Sequence, residues 1–478
     1  MDDGGIAPME RSLPDVVLVV FDTARRDRFG CYGSPRPTTP TVDSLASAGT
    51  VAEAMLTTAP WTLPSHASLF TGLYPSEHGA QWQSERQLSA GVDVTIAEFF
   101  KGLGYETVCA TNNGLISFET GLARGFDRHV HRSELERGMR EKARQVKKVA
   151  TGGDSGGEVV NAWLEEQVRT VRRPMFLFVN YLECHWPYAP PRRLRRQVGG
   201  RRFGLADDVR FRMDLAKRTG PWDAVGTANA ETLEVYSALY DAEHRNVDGH
   251  LDQLLDVLER AGRLGNGDAL VMVTSDHGEH LGEHGLADHQ ASLDDHLTHV
   301  PFVAWGPGVV RAERLDRTFE FVDVLPSLAR LLDADLGVPA AAERRPTLFT
   351  GSATDVRGPN GDLAFAEWRS WSDVDLTRVS GRNPRYDFTG LARDLLRVRG
   401  ERFSLVRSGE GRESLIDDAN DPLQETDVSA AHPDEVVRLR AALDDKVAEW
   451  RGAEGGSSVL SEVDVDEIER HLSELGYI

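Results

Sequence analysis

The sequence predicts an α/β fold, with one large, mostly parallel sheet sandwiched by helices and a smaller antiparallel subdomain after it. Three observations lead there. Short apolar runs rich in β-branched residues recur along the chain, as in strands buried on both faces. Helical patterns separate them, giving β-α-β-α order. The runs end on polar, turn-forming or metal-capable residues, the kind that collect at the carboxyl edge of an open sheet.

Val16 to Phe21 (VVLVVF) reads as the first strand, with Asp22 at its carboxyl end. Thr39-Pro40 then starts a helix whose buried stripe is Val42, Leu45 and Ala46, and Gly49 closes it. Thr107 to Ala110 is the second strand, ending at Thr111-Asn112-Asn113-Gly114. Met175 to Asn180 is the third, running toward Glu183-Cys184-His185-Trp186-Pro187. A long helix spans Glu231 to Ala261. Ala269 to Thr274 is the fourth strand, followed by Ser275-Asp276-His277-Gly278, and Pro301 to Trp305 is the fifth. The Gly-rich stretch 152–158 follows no strand and reads as a loop between helices rather than a phosphate cradle.

From about residue 346 the pattern shifts to short alternating strands (Leu363 to Trp368, Leu395 to Val398, Phe403 to Val406) and a helix from Pro433 to Trp450. The expected division is a catalytic unit over 1–345, a small sheet-plus-helix unit over 346–451, and a linker with a terminal helix over 452–478.

The 478 residues carry 40% hydrophobic and 27% charged side chains, so disordered, collagen-like and coiled-coil classes are excluded. Lys+Arg 54 against Asp+Glu 76 gives a net charge of -22. Such an acidic surface argues against a nucleic-acid polymer or an anionic membrane as partner. An anionic substrate must meet a locally positive pocket. Cys31, Cys109 and Cys184 are too few and too oddly numbered for a disulfide framework. No apolar stretch approaches membrane-spanning length, and the N-terminus lacks a secretory pattern, so a soluble, cytoplasmic protein is expected. The oligomeric state stays open.

The stretch Trp61-Thr62-Leu63-Pro64-Ser65-His66 places the Thr62 hydroxyl at a helix N-terminus that Gly72 can end. Unpaired amides and the helix dipole there favour a negative oxygen. Alone, this pattern equally describes an ordinary N-cap. Asp22 and Asp276-His277 follow predicted buried strands, so metal-capable side chains would meet on one sheet edge. Six histidines between 277 and 299 (277, 280, 284, 289, 296, 299) are more than a solvated loop carries. One or two of them are expected to touch ligand.

Taken in order, Asp22-Thr23-Ala24-Arg25-Arg26-Asp27, Tyr32-Gly33, Thr39-Pro40, Thr62-Leu63-Pro64-Ser65-His66, Thr71-Gly72, Asn180 to Pro191, Thr274 to Gly285, Asp418 to Pro422 and Leu475-Gly476-Tyr477 resemble the sulfatase branch of the alkaline phosphatase superfamily. The resemblance spans nearly the whole chain. It implies the fold already predicted, an ester hydrolase, and a metal set of Asp22, Thr62, Asp276 and His277 around one divalent ion. Two carboxylates, a hydroxyl and an imidazole favour Mn or Zn, with Mg or Ca possible. By motif, Asn112, His185 and His289 take catalytic places. His66 stands where sulfatases carry a substrate-contacting Arg.

The departures are informative. Sulfatases oxidise a Cys or Ser to formylglycine, whose second hydroxyl expels sulfate. Thr62 has no such hydroxyl, so a threonine ester must be resolved by water at the transferred group. Threonine nucleophiles occur in related enzymes acting on phosphorus, and phosphate mono- or diester hydrolysis is the leading expectation. A Thr62-dependent sulfate ester hydrolase and a catalytically silent anion-binding protein are the alternatives. Thr23 replaces a further metal-binding Asp. Arg192, Arg193, Arg195, Arg196, Arg201 and Arg202 crowd the stretch after His185. Arg192 and Arg193 are expected at the pocket mouth, recruiting a small anionic ester, unless this is simply a solvated loop.

Overall fold

The computed structural model describes residues 13–81, 86–135, 156–171, 174–198, 230–265, 268–336, 348–349, 362–453, 468, 470 and 471. Its strands are β1 (Asp15–Phe21), β2 (Thr50–Leu56), β3 (Glu106–Thr111), β4 (Arg128–His131), β5 (Met175–Tyr181) and β6 (Ala269–Thr274). After β6 come β7 (His280–Leu281), β8 (Ala287–Asp288), β9 (His299–Val300), β10 (Phe302–Trp305) and β11 (Glu313–Glu320). The large sheet runs β11-β2-β10-β6-β1-β5-β3-β4, with β9 pairing β2, while β7 and β8 form a separate ribbon.

β6, β1, β5, β3 and β4 are mutually parallel, as the continuous apolar runs predict. Val16 through Phe21 are fully buried, each side chain contributing roughly 1.5–3 kcal/mol of transfer free energy. Helices cover both faces: α1 (Pro40–Ala48), α2 (Thr62–Thr71), α3 (Gly157–Thr170), α4 (Arg192–Val198) and the long α5 (Ala230–Arg260). Val42, Leu45 and Ala46 are the buried stripe of α1, as its spacing requires.

β10 departs from the parallel pattern. It pairs antiparallel to both β6 and β2. The segment joining β6 to β10 holds the β7/β8 ribbon with a short 3-10 turn, the four-residue helix α6 (Asp295–Thr298) and the two-residue β9, and without a long crossover helix the chain turns straight back. Its closing Gly306-Pro307-Gly308 therefore sits at the sheet edge opposite the other strand ends. β2, β4 and β11 were not foreseen, because exposed or polar residues interrupt their apolar patterns.

A four-stranded antiparallel sheet, β12 (Ala364–Trp368), β13 (Leu395–Arg399), β14 (Phe403–Ser408) and β15 (Glu413–Asp417), follows with helix α7 (Pro433–Ala453). It is joined firmly to the main unit. Trp368 and Trp371 share the main core, and the Glu320 carboxylate accepts from the Phe365 amide (2.7 Å) and the Tyr74 hydroxyl (2.8 Å). Arg397 and Arg399 reach back to Asp295. No helix among the described residues is long and apolar enough to cross a membrane.

Candidate active site

Strand register assembles the site. Val20 of β1 pairs Asn180 of β5 and Thr274 of β6, and Asn180 also pairs Thr111 of β3. Asp22, Asn180, Asn113 and Asp276 therefore emerge side by side at one carboxyl edge. Thr62 arrives from the other direction as the first residue of α2, whose C-cap Gly72 is left-handed (φ 70°) as predicted. The Thr62 hydroxyl stands 3.5 Å from His277 Nε2 and accepts from Asn113 Nδ2 at 3.2 Å.

Asp22, Asp276 and His277 place one ligand atom each within 4.8 Å of one another, and all three are fully buried. Asp22 Oδ2 accepts from Asn113 Nδ2 (2.9 Å) and Asn180 Nδ2 (3.2 Å). Asp276 Oδ1 accepts the Thr23 and His277 amides, both at 3.0 Å. The second oxygen of each carboxylate, Asp22 Oδ1 and Asp276 Oδ2, is buried without a hydrogen-bond donor. His277 Nδ1 lies 2.9 Å from the Gly278 carbonyl, which fixes the proton there and leaves the Nε2 lone pair facing Thr62 and Asp276. Two orphaned carboxylate oxygens, one imidazole lone pair and one hydroxyl form a donor set that fits a single divalent cation.

The electrostatics agree. Burial, then the neighbouring Asp276 charge, raises Asp22 to about 7. Burial acts on Asp276 in the same sense, but the neighbouring His277 and His66 and the hydrogen bond from the Thr23 amide hold that carboxyl below the usual range. Asp22 thus titrates well above an ordinary carboxylate beside Asp276, and a bound cation would favour the ionised form of both.

His66 is fully buried behind Thr62. Its Nδ1 lies 2.9 Å from the Thr62 carbonyl and 3.5 Å from Asp276 Oδ2, and its ring packs edge-on against Phe70 and Phe178. Burial keeps it below its ordinary pKa. It is placed to brace the start of α2. Ser65 Oγ likewise donates to the Asp276 carbonyl at 2.6 Å.

His277, His289 and His185 form a row, with ring centroids 4.4 Å and then 5.2 Å apart. His289 Nδ1 pairs with Asp288 Oδ1 at 2.7 Å and lies 3.7 Å from Glu279 Oε1. Burial, followed by the His289 charge, pushes His185 down to about 4. Both histidines expected from sequence are thus beside the metal-capable cluster.

Asn112 is placed differently. It is buried, its carbonyl lies 3.2 Å from His131 Nε2, and the neighbouring Asn113 is the residue whose amide spans Asp22 and Thr62. Asn180 also escaped the sequence reading. The available signal was position: both asparagines lie at the end of strands whose edge already held Asp22 and Asp276. Arg192 and Arg193 are exposed on α4, which packs against α5, while Arg195 is buried. Arg201 and Arg202 lie outside the described residues, as do Leu475-Gly476-Tyr477 and residues 152–155.

A family model described as Sulfatase matches residues 14–334, which holds every metal-capable and catalytic candidate above. The chain belongs to the sulfatase family. It is a sulfatase-family hydrolase. An arylsulfatase of Clostridium perfringens is 24% identical over 376 residues, covering 69% of this chain and 76% of that protein. Among solved structures, a phosphonate monoester hydrolase of Agrobacterium radiobacter superposes with TM-score 0.67 at 21% identity, over 92% of this chain and 95% of that one. A 2-O GAG sulfatase gives TM-score 0.66 at 18% identity, over 92% and 93%. These likenesses bear out the predicted α/β architecture.

Proposed function

We propose that this sulfatase-family protein hydrolyses phosphate mono- or diesters of small anionic substrates, with the unmodified Thr62 hydroxyl as nucleophile. The observation that carries this reading is the placement of Thr62 Oγ1 at the N-terminus of α2, between the Asn113 amide and the His277 lone pair, beside two orphaned carboxylate oxygens. A threonine ester has no second hydroxyl with which to expel the bound group, so its release requires water to attack the transferred centre, a step suited to phosphorus. The phosphonate monoester hydrolase fold neighbour supports the same direction.

One divalent ion, held by Asp22, Thr62, Asp276 and His277, would lower the hydroxyl's pKa and offset charge on the transferred group, Mn or Zn suiting the donor set best. The chain's own residues do the rest. Asn113 donates to the Thr62 oxygen, and the α2 dipole favours negative charge there. Attack breaks the Thr62 Oγ–H bond, its proton passing to solvent water, forms the Oγ–P bond and breaks the bond to the leaving oxygen, which takes a proton from His289, ion-paired with Asp288. His185, neutral at pH 7 by its lowered pKa and holding its proton on Nδ1 against the Trp186 carbonyl at 2.7 Å, presents Nε2 as an acceptor for a substrate hydroxyl. Water then cleaves the phosphothreonine. Arg192 and Arg193, exposed on α4, would draw in additional negative charge.

The test is turnover of aryl phosphate, phosphodiester, phosphonate and sulfate esters with Mn. Phosphorus esters should turn over faster than sulfate esters, and all turnover should vanish in Thr62→Ala. Preference for the sulfate ester would favour a Thr62-dependent sulfatase, and silence on all esters with metal bound would favour an anion-binding role.

A further inference from the structure

Away from the Thr62 cluster, three imidazoles converge on one carboxylate. His280 Nε2 lies 2.7 Å from Asp294 Oδ2, His284 Nε2 lies 3.6 Å from the same oxygen, and His296 Nδ1 lies 3.3 Å from Asp294 Oδ1. The ring centroids form a near-equilateral triangle, 6.1, 6.2 and 6.5 Å on a side. Ligand atoms of His280, Asp294 and His296 all lie within 4.8 Å of one another.

A simpler account makes this a buried ion pair, since Asp294 also caps α6 by accepting the His296 amide at 2.9 Å and takes the Ser292 hydroxyl at 2.7 Å. That account leaves two facts unexplained. His280 is 1% exposed, and its Nδ1 is buried with no hydrogen-bond partner. Nor does one carboxylate need three imidazoles; a metal ion does, because each ring brings a neutral donor with defined direction. Glu283, joined to Arg25 at 2.7 Å, and Asp27 add negative charge nearby.

We propose that His280, His284, Asp294 and His296 form a second metal site, selective for a borderline ion of the zinc class because three of its four donors are imidazoles. The rings would draw in by about an ångström to reach ordinary zinc–nitrogen distances near 2 Å. The ion would tie the start of the β7/β8 ribbon to α6, pinning the segment that carries His289. It would also brace the junction with the small sheet, since Asp295 of α6 is the partner of Arg397 and Arg399. This proposal rests on none of the chemistry assigned to Thr62.

The experiment counts zinc per chain by elemental mass spectrometry after chelation, zinc reloading and desalting of the full chain. Asp22→Asn with Asp276→Asn disables the first cluster. That variant should retain one zinc, and its Co(II) form should show the visible absorption of a nitrogen-rich, four-coordinate site. Adding His284→Asn and His296→Gln should abolish both. Asparagine is chosen at 284 because the backbone there is left-handed (φ 54°), which Asn tolerates. Should the double Asp variant fail to fold, His284→Asn/His296→Gln alone should bind one zinc fewer than wild type and lose part of the zinc-induced rise in thermal midpoint. A folded Asp22→Asn/Asp276→Asn chain that holds no zinc, or zinc content unmoved by the histidine substitutions, overturns the proposal. A failed phosphatase assay would leave these counts unchanged.

Discussion

Replacing Asn113 by alanine tests the site where sequence reasoning and structure part company. The Asn113 amide spans two acceptors, Asp22 Oδ2 at 2.9 Å and Thr62 Oγ1 at 3.2 Å, inside a fully buried cluster. A hydrogen bond to a charged acceptor contributes about 1.5–3 kcal/mol, and the Thr62 oxygen gains its charge only as reaction begins. Losing that donor should slow kcat roughly 10- to 150-fold. The second acceptor complicates the reading, because Asp22 also loses a partner and metal affinity falls. Measuring kcat for an aryl phosphate at saturating Mn separates the two effects, since only the nucleophile's loss survives saturation. The neighbouring Asn112→Ala, which touches neither group, should change kcat less than Asn113→Ala. A kcat within threefold of wild type for Asn113→Ala would refute the assignment of this amide to the nucleophile.

Glu367 of β12 is buried against the Ser76 amide and hydroxyl, and burial raises its pKa to about 7. The folded state binds this proton more tightly than the unfolded chain, so its stabilising contribution is full in acid and declines as pH rises from about 4.5 through 7. Relative to Glu367→Gln, wild type should lose about 3 kcal/mol between those limits; parallel stability curves for the two would contradict this. Arg397→Ala leaves the buried Asp418 with less compensation and should lower unfolding free energy by about 3 kcal/mol, and an unchanged thermal midpoint would show the junction to be unimportant. Asp276→Ala should abolish tight binding of one divalent ion by calorimetry, whereas retained affinity would move the ion elsewhere. Arg192→Ala/Arg193→Ala should raise KM for multiply charged substrates more than for singly charged ones, and a uniform effect would make these arginines ordinary surface.

The central strands and the edge they end on were legible because a run such as VVLVVF is buried on both faces and has no other stable home. Asp22, Asp276 and His277 follow from that edge, whereas the roles of Thr62, His185 and His289 follow from the resemblance to the sulfatase branch. What stayed hidden depends on register and approach angle. Asn112 and Asn113 are indistinguishable in a turn until backbone dihedrals decide which amide faces Thr62. His66 lies one helical turn after Thr62, so its ring folds back behind the nucleophile among Phe70 and Phe178. The direction of β10 was concealed because an apolar tetrapeptide looks the same run either way. The crowded histidines gave a count, and only three-dimensional placement separated His277 and His289 from His280, His284 and His296, with His299 set apart against Asp295.

Rapid acid quenching during turnover of a phosphate ester, followed by mass spectrometry of the digested protein, looks directly for the covalent species. A phosphoryl group on the peptide bearing residue 62, absent from the alanine variant, is the predicted result. A burst of the leaving alcohol with no adduct there, or with the adduct on a different side chain, would mean the hydroxyl is a bystander.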